Sequence, residues 1–232
     1  MNWNHAVDKI SPYIVKIQTP SGSGTGFLCA YNENKTWCAV ATALHVVADA
    51  DEWQQPIKIL HYASGKEVFL KEPQRVVFSE GNTDSAVVLF HKGELEFPET
   101  IVGLLPIDRA IPIGMEVAWL GFPAIEPGTL CFFSGNISAR KEDRKAYLID
   151  GVAINGVSGG PVIFSDLAEG VLVVGTVSAY RANRTTGDAL PGLLIAQDVS
   201  HFHGVIQHIR SVDEARKKKQ EFQASDSKQI QG

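Results

Sequence analysis

Asn155-Gly156-Val157-Ser158-Gly159-Gly160-Pro161-Val162 is the stretch on which the reading of this chain turns. Glycine stands two residues before Ser158 and at both positions after it. Without a Cβ these positions bend freely, so the Ser158 hydroxyl can project from the surface. The N–H groups of Gly156 and Ser158 can then converge on one point, where an oxyanion could sit. The same glycines also suit a plain loop. Pro161-Val162-Ile163-Phe164 continues the stretch as a short apolar β run.

Outward from this turn the pattern repeats. Short β runs bounded by Gly, Pro, Asn and Asp occur at 13–17, 27–31, 36–42, 57–60, 75–78, 86–90, 116–120, 135–138, 146–149, 171–177 and 192–195. Many short strands with almost no long helical period predict an all-β barrel or sandwich. Residues 2–10 read as a short helix stopped by Pro12, and 43–48 as a single helical turn. Val205, Ile206 and Ile209 have helical spacing, which predicts one amphipathic helix over 200–210. A basic and polar tail over 211–232 follows, with Arg216-Lys217-Lys218-Lys219 read as a solvated helix end. A tight hairpin at Asn32–Lys35 sets Cys29 opposite Cys38, as two reduced thiols or as a cross-strand disulfide.

The chain has 232 residues, 44% hydrophobic and 20% charged, with a net charge of −5. These values exclude wholesale disorder, a coiled coil and a collagen-like rod. A chain of this length buries roughly 70% of its unfolded surface, so a full core forms without staples. The mild acidity argues against a nucleic-acid partner. No apolar run approaches the ~18 residues that span a bilayer, and the N-terminus lacks the marks of a secretory signal. Three cysteines fit a reducing compartment, so a cytoplasmic setting is expected.

A serine at its free pKa is a poor nucleophile and needs a base beside it. Of seven histidines, His45 is the best placed, directly after the strand 39–42; the same position suits a satisfied core histidine. The base needs an orienting carboxylate, and Asp84 stands immediately before the apolar run 86–90. Asp84 also suits a simple turn-closing role. No His/Cys cluster has zinc spacing, and no metal or cofactor is expected.

Four motifs in this order, Gly-Ser-Gly-Thr-Gly-Phe (22–27), Thr-Ala-Leu-His-Val-Val (42–47), Thr-Asp-Ser-Ala-Val-Val (83–88) and Gly-Val-Ser-Gly-Gly-Pro (156–161), resemble those of the trypsin-like, chymotrypsin-fold serine peptidases. The bacterial HtrA/Deg-type and related intracellular members are the nearest branch, and the resemblance covers roughly 10–210. It implies two six-stranded β-barrels, over about 12–100 and 101–199, with the site between them and a C-terminal α-helix from about 200. It implies His45 as general base, Asp84 as its orienter, Ser158 as nucleophile, and the Gly156 and Ser158 N–H groups as oxyanion hole. It also assigns Ser178 and Tyr180 to the strand that pairs with substrate and lines the S1 pocket, Gly192 to the opposite wall, and Val152 to the S1 floor. An apolar floor argues against basic specificity and for an apolar or small P1 residue. Val157 replaces the aspartate that matures the pocket of secreted members, Ser23 and Val46 replace their disulfide, and no PDZ domain follows in this sequence. The expected partner is a protein or peptide substrate, with a regulatory protein contacting the tail or the first helix. The competing expectation is a peptidase fold that grips peptides by strand addition without cutting them.

Overall fold

The computed structural model describes residues 3–152, 154–166, 170–184 and 189–229, with 180–184, 189–191 and 222–229 described by backbone alone. Helix α1 (Trp3–Ile10) leads into β1 (Ile14–Thr19), β2 (Gly22–Tyr31) and β3 (Trp37–Ala43). Helix α2 (Leu44–Glu52) follows, then β4 (Ile57–His61), β5 (Glu67–Leu70), β6 (Arg75–Glu80) and β7 (Ser85–His91). The second half contains β8 (Gly103–Leu104), β9 (Glu116–Gly121), β10 (Cys131–Lys141), β11 (Ala146–Asp150), β12 (Pro161–Asp166), β13 (Gly170–Arg184) and β14 (Ala189–Asp198). Helix α3 (Ser200–Gln229) ends the described chain. No helix among the described residues is long and apolar enough to cross a membrane.

The strands form a chymotrypsin-like pair of antiparallel units. In the second, the order β12-β9-β10-β11-β14-β13 closes through β12–β13 pairing into a six-stranded barrel, and β8 adds to β13 in parallel. The first departs from the expected six-stranded barrel. It is a curled seven-stranded sheet, β5-β4-β1-β2-β3-β7-β6, with no ladder between its end strands. The chain passes from β5 to β6 through a one-turn helix at Glu72–Gln74 containing Pro73, which cannot donate to a ladder, so the two edges meet at a corner.

Two cores result. One fills the curl of the first sheet with Val15, Ile17, Leu28, Val40, Val88 and Phe90. The other joins the second barrel to both terminal helices through Trp119, Tyr147, Phe27 and Phe202. β2 and β3 are therefore buried on both faces, which explains their continuous apolar character. The expected Cys29–Cys38 pairing does not occur. The register shifts between Leu28 and Ala30, Tyr31 faces Cys38, and the two thiols enter different cores. Both cysteines are free and buried, and burial pushes the Cys29 thiol up to about 12.

Two helices exceed their expected lengths. α2 runs nine residues rather than one turn. α3 continues past residue 210, where a polar tail was expected, to Gln229. Its buried positions, Phe202, Val205 and Ile209, stop where the amphipathic period stops. Beyond them, Ala, Arg, Lys, Gln and Glu are all good helix formers and no Pro intervenes. Asp213 accepts from Glu33 N at 2.8 Å and Lys217 pairs with Glu33, which ties this stretch to the first unit.

Candidate active site

The end of β3 runs directly into α2, whose second residue is His45. The first turn of α2 has no side-chain cap of its own. Asp84 supplies one from 39 residues away: its carbonyl accepts from Leu44 N at 2.9 Å and its Oδ1 from His45 N at 3.0 Å. Asp84 can face α2 with both groups because it closes the turn before β7 in the left-handed region, at φ +44°. Asp84 thus closes its turn and also contacts His45. Its Oδ2 lies 2.8 Å from His45 Nδ1 and 2.6 Å from Ser178 Oγ. A carboxylate only accepts, so Nδ1 carries a proton; in the neutral ring Nε2 then keeps its lone pair.

Burial pushes the Asp84 carboxyl up, but the bonds from His45 and Ser178 outweigh it and hold the group below the usual carboxylate range. His45 moves the other way: its bond to Asp84 raises it, against a smaller opposing effect of burial. Ser178, expected on a substrate-binding strand, donates its hydroxyl to Asp84, a contact the sequence did not suggest. It sits at the bulge where β13 shifts register between Val177 and Ala179, and the bulge aims its hydroxyl into the first unit.

Ser158 comes from the turn before β12. That turn packs on the end of β3, immediately before His45. Gly159, at φ +82°, approaches so closely that a Cβ there would lie 2.1 Å from Thr42 Oγ1. Gly156, at φ +92°, is pressed against Phe122, where a Cβ would lie 2.3 Å from the carbonyl oxygen. Along the turn, the N–H groups of Val157, Gly159 and Gly160 bond to Ile154, Val177 and Val157. Those of Gly156 and Ser158 have no acceptor among the described residues. The structure joins His45, Asp84 and Ser178 by hydrogen bonds and brings the Ser158 turn against them. Among the described residues no hydrogen bond joins Ser158 Oγ to the His45 ring.

Thr25 was missed in the sequence. It is fully buried; its N–H donates to Ser158 O at 2.8 Å, its hydroxyl donates to Gly156 O at 2.8 Å and accepts from Phe122 N at 3.0 Å. The Gly24-Thr25-Gly26 pattern was the available signal, since flanking glycines mark a close approach. Val157 is buried in the second core, an apolar side chain at the position where an ion pair would need a carboxylate. Val152 is 48% exposed. Gly192 lies in β14 beside Leu193 and Leu194, which pair with Arg181 and Tyr180. The Tyr180 side chain lies outside the described residues. β13 runs on past β12: its ladder with β12 ends at Thr176, and from Ser178 onward its only ladder among the described residues is with β14. One strand edge beside the Ser158 turn is thus open to an extended peptide. Among the described residues no group of three or more His, Cys, Asp or Glu could hold a metal ion.

The fold and this cleft define a chymotrypsin-like peptidase class. In sequence, residues 24–175 match the trypsin-like peptidase domain, more than half of the chain, and the chain belongs to that family of serine proteases. No curated protein is a significant sequence match. Among solved structures, the serine endoprotease from Yersinia pestis superposes with a TM-score of 0.65 at 20% identity over 90% of this chain; the chain spans 66% of that structure's length. Deg5 gives 0.62 at 19% identity, covering 86% of this chain and 89% of its own. The Rv3671c protease in an inactive form gives 0.62 at 22%, covering 89% and 93%. At these identities the likeness concerns the fold.

Proposed function

We propose that this protein is a serine endopeptidase acting through an acyl-enzyme. Ser158 Oγ attacks the scissile carbonyl while His45 Nε2 takes its proton. Asp84 holds the ring and stabilises the imidazolium, the Gly156 and Ser158 N–H groups receive the developing oxyanion, and water then releases the acyl group. Proton transfer of this kind contributes about 10²–10⁴-fold, and each oxyanion donor about 10²–10³-fold. The half-exposed, apolar Val152 supports a preference for apolar or small P1 residues. The reducing compartment proposed for it agrees with the free, buried Cys29 and Cys38.

One observation carries the reading: Asp84 binds the His45 backbone and ring together, which holds a proton on Nδ1 so that the neutral ring offers Nε2. The missing Oγ–Nε2 bond favours a second reading, a latent or non-cleaving peptide-binding module; catalytic hydrogen bonds are also often loose before substrate binds. Digestion of a peptide library, with cut sites mapped by mass spectrometry, separates the two. The peptidase reading expects cuts after apolar or small residues that vanish in Ser158→Ala. Intact peptides that bind wild type and Ser158→Ala equally support the module instead.

A further inference from the structure

The cleft has an unassigned flank. The Ser158 turn is held on one side by β13, through Gly159 N to Val177 O at 2.7 Å and Val177 N to Gly160 O at 2.9 Å. On the other side it is held by Thr25 and by Ala124, whose N–H donates to Asn155 O at 2.7 Å. An acyl segment laid along the open edge of β13 approaches Ser158 from the first side. The chain beyond the scissile bond then leaves on the opposite side, over the surface that covers the buried Thr25 and Phe122.

Lys16 stands on that exit. It is the cross-strand partner of Thr25 on β2 and of Leu60 on β4, so it shares the face on which Thr25 meets the Ser158 turn. Its Nζ lies 5.9 Å from the Phe122 ring centre, and the Tyr62 ring, 44% exposed, lies 6.0 Å from the same ring. Lys58, on the same face, is matched by Glu67 at 2.6 Å. Lys16 has no carboxylate partner among the described residues. Adjacent strands lie about 4.8 Å apart and an extended peptide advances about 3.3 Å per residue. With Thr25 N 2.8 Å from Ser158 O and Lys16 one strand further out, this spacing corresponds to the second or third residue after the cut.

We propose that Lys16, backed by Phe122 and Tyr62, forms a leaving-group-side subsite for a carboxylate. The carboxylate is an Asp or Glu side chain at the second or third residue after the cut, or the terminal carboxylate of a substrate ending there. The subsite rests on the peptidase reading above and adds a requirement on the side of the substrate that Val152 does not touch. Ammonium–carboxylate attraction at a partly exposed site raises kcat/KM modestly, about three- to fivefold, and weakens with salt.

The test uses quenched-fluorescence peptides with one acyl-side sequence. One arm carries Glu, Gln or Lys at the second or third residue after the cut, with amidated ends; the other ends at that residue as free acid or amide. Wild type is expected to favour Glu over Gln in the first arm if side chains are the source, or acid over amide in the second if termini are. Ratios taken within each variant cancel any loss of overall activity. Lys16→Arg should keep the preference, Lys16→Met should bring it to one, and Lys16→Glu should reverse it toward Lys. A wild-type ratio of one in both arms, or a preference surviving Lys16→Met, overturns the subsite. Complete absence of cleavage counts against the peptidase reading alone. In that case fluorescein-labelled versions are read by anisotropy on folded Ser158→Ala, where the same ratios support the subsite and equal binding overturns it.

Discussion

At the residue scale, the Asp84 carboxylate is bound by three donors: the His45 ring, the His45 backbone and the Ser178 hydroxyl. Its lowered carboxyl is stabilising above the ordinary Asp value of about 3.9, and that contribution is lost as pH falls through the lowered value. The raised His45 is stabilising below about 6.5, and its contribution is lost as pH rises through the raised value. The pair therefore stabilises the fold most between about pH 4 and 6.5. Activity runs opposite, because only neutral His45 accepts a proton. A pH–rate profile should show kcat/KM rising through a pKa above the ordinary histidine value. Asp84→Asn should lower the rate about 10⁴-fold and move the limb to lower pH. Thr25→Val keeps the shape but strands Gly156 O and Phe122 N, so denaturant midpoints should report a loss of about 1–3 kcal/mol. Local patterns marked His45, Asp84 and Ser158 as candidates, each beside a plainer reading, and the structure joins His45 to Asp84. Thr25 was not legible, since its partner Gly156 lies 131 residues away and no window contains both.

At the element scale, α3 has two halves with different physics. Phe202 is fully buried and meets Phe27 edge-on at a centroid distance of 6.0 Å, which joins the helix to β2. Phe202→Ala should therefore cost about 3–5 kcal/mol in urea unfolding. Ending the chain after Ser211 removes, among the described residues, the surface contacts of Asp213 and Lys217 with Glu33 and the half-exposed Val212, and should leave the urea midpoint nearly unchanged. If a regulatory partner acts through this stretch, activity or association must change in the shortened chain even though stability does not. Most strand runs were legible from β-branched and aromatic runs between turn residues; the short β5 and β8 were not. Register was not: the shifts beside Cys29 in β2 and Ser178 in β13 depend on which face each strand buries, and sequence separation does not carry that. The length of α3 was missed because amphipathic period marks buried helix, and its outer turns rest on propensity.

At the scale of the whole molecule, the site exists only where the two units meet. His45 and Asp84 come from the first unit, in α2 and the turn before β7, and Ser158 and Ser178 from the second, in the turn before β12 and in β13. The ordered motifs made this pairing legible, whereas the open first sheet was not, because closure depends on how the β5 and β6 edges meet at a corner. The central claim is that the cleft activates Ser158. Mass spectrometry after reaction with a fluorophosphonate tests it most directly. The account predicts one adduct per folded chain, mapped to Ser158, lost in Ser158→Ala and greatly slowed in His45→Ala. Folded wild-type protein that stays unlabelled, or an adduct that persists in Ser158→Ala, would contradict it.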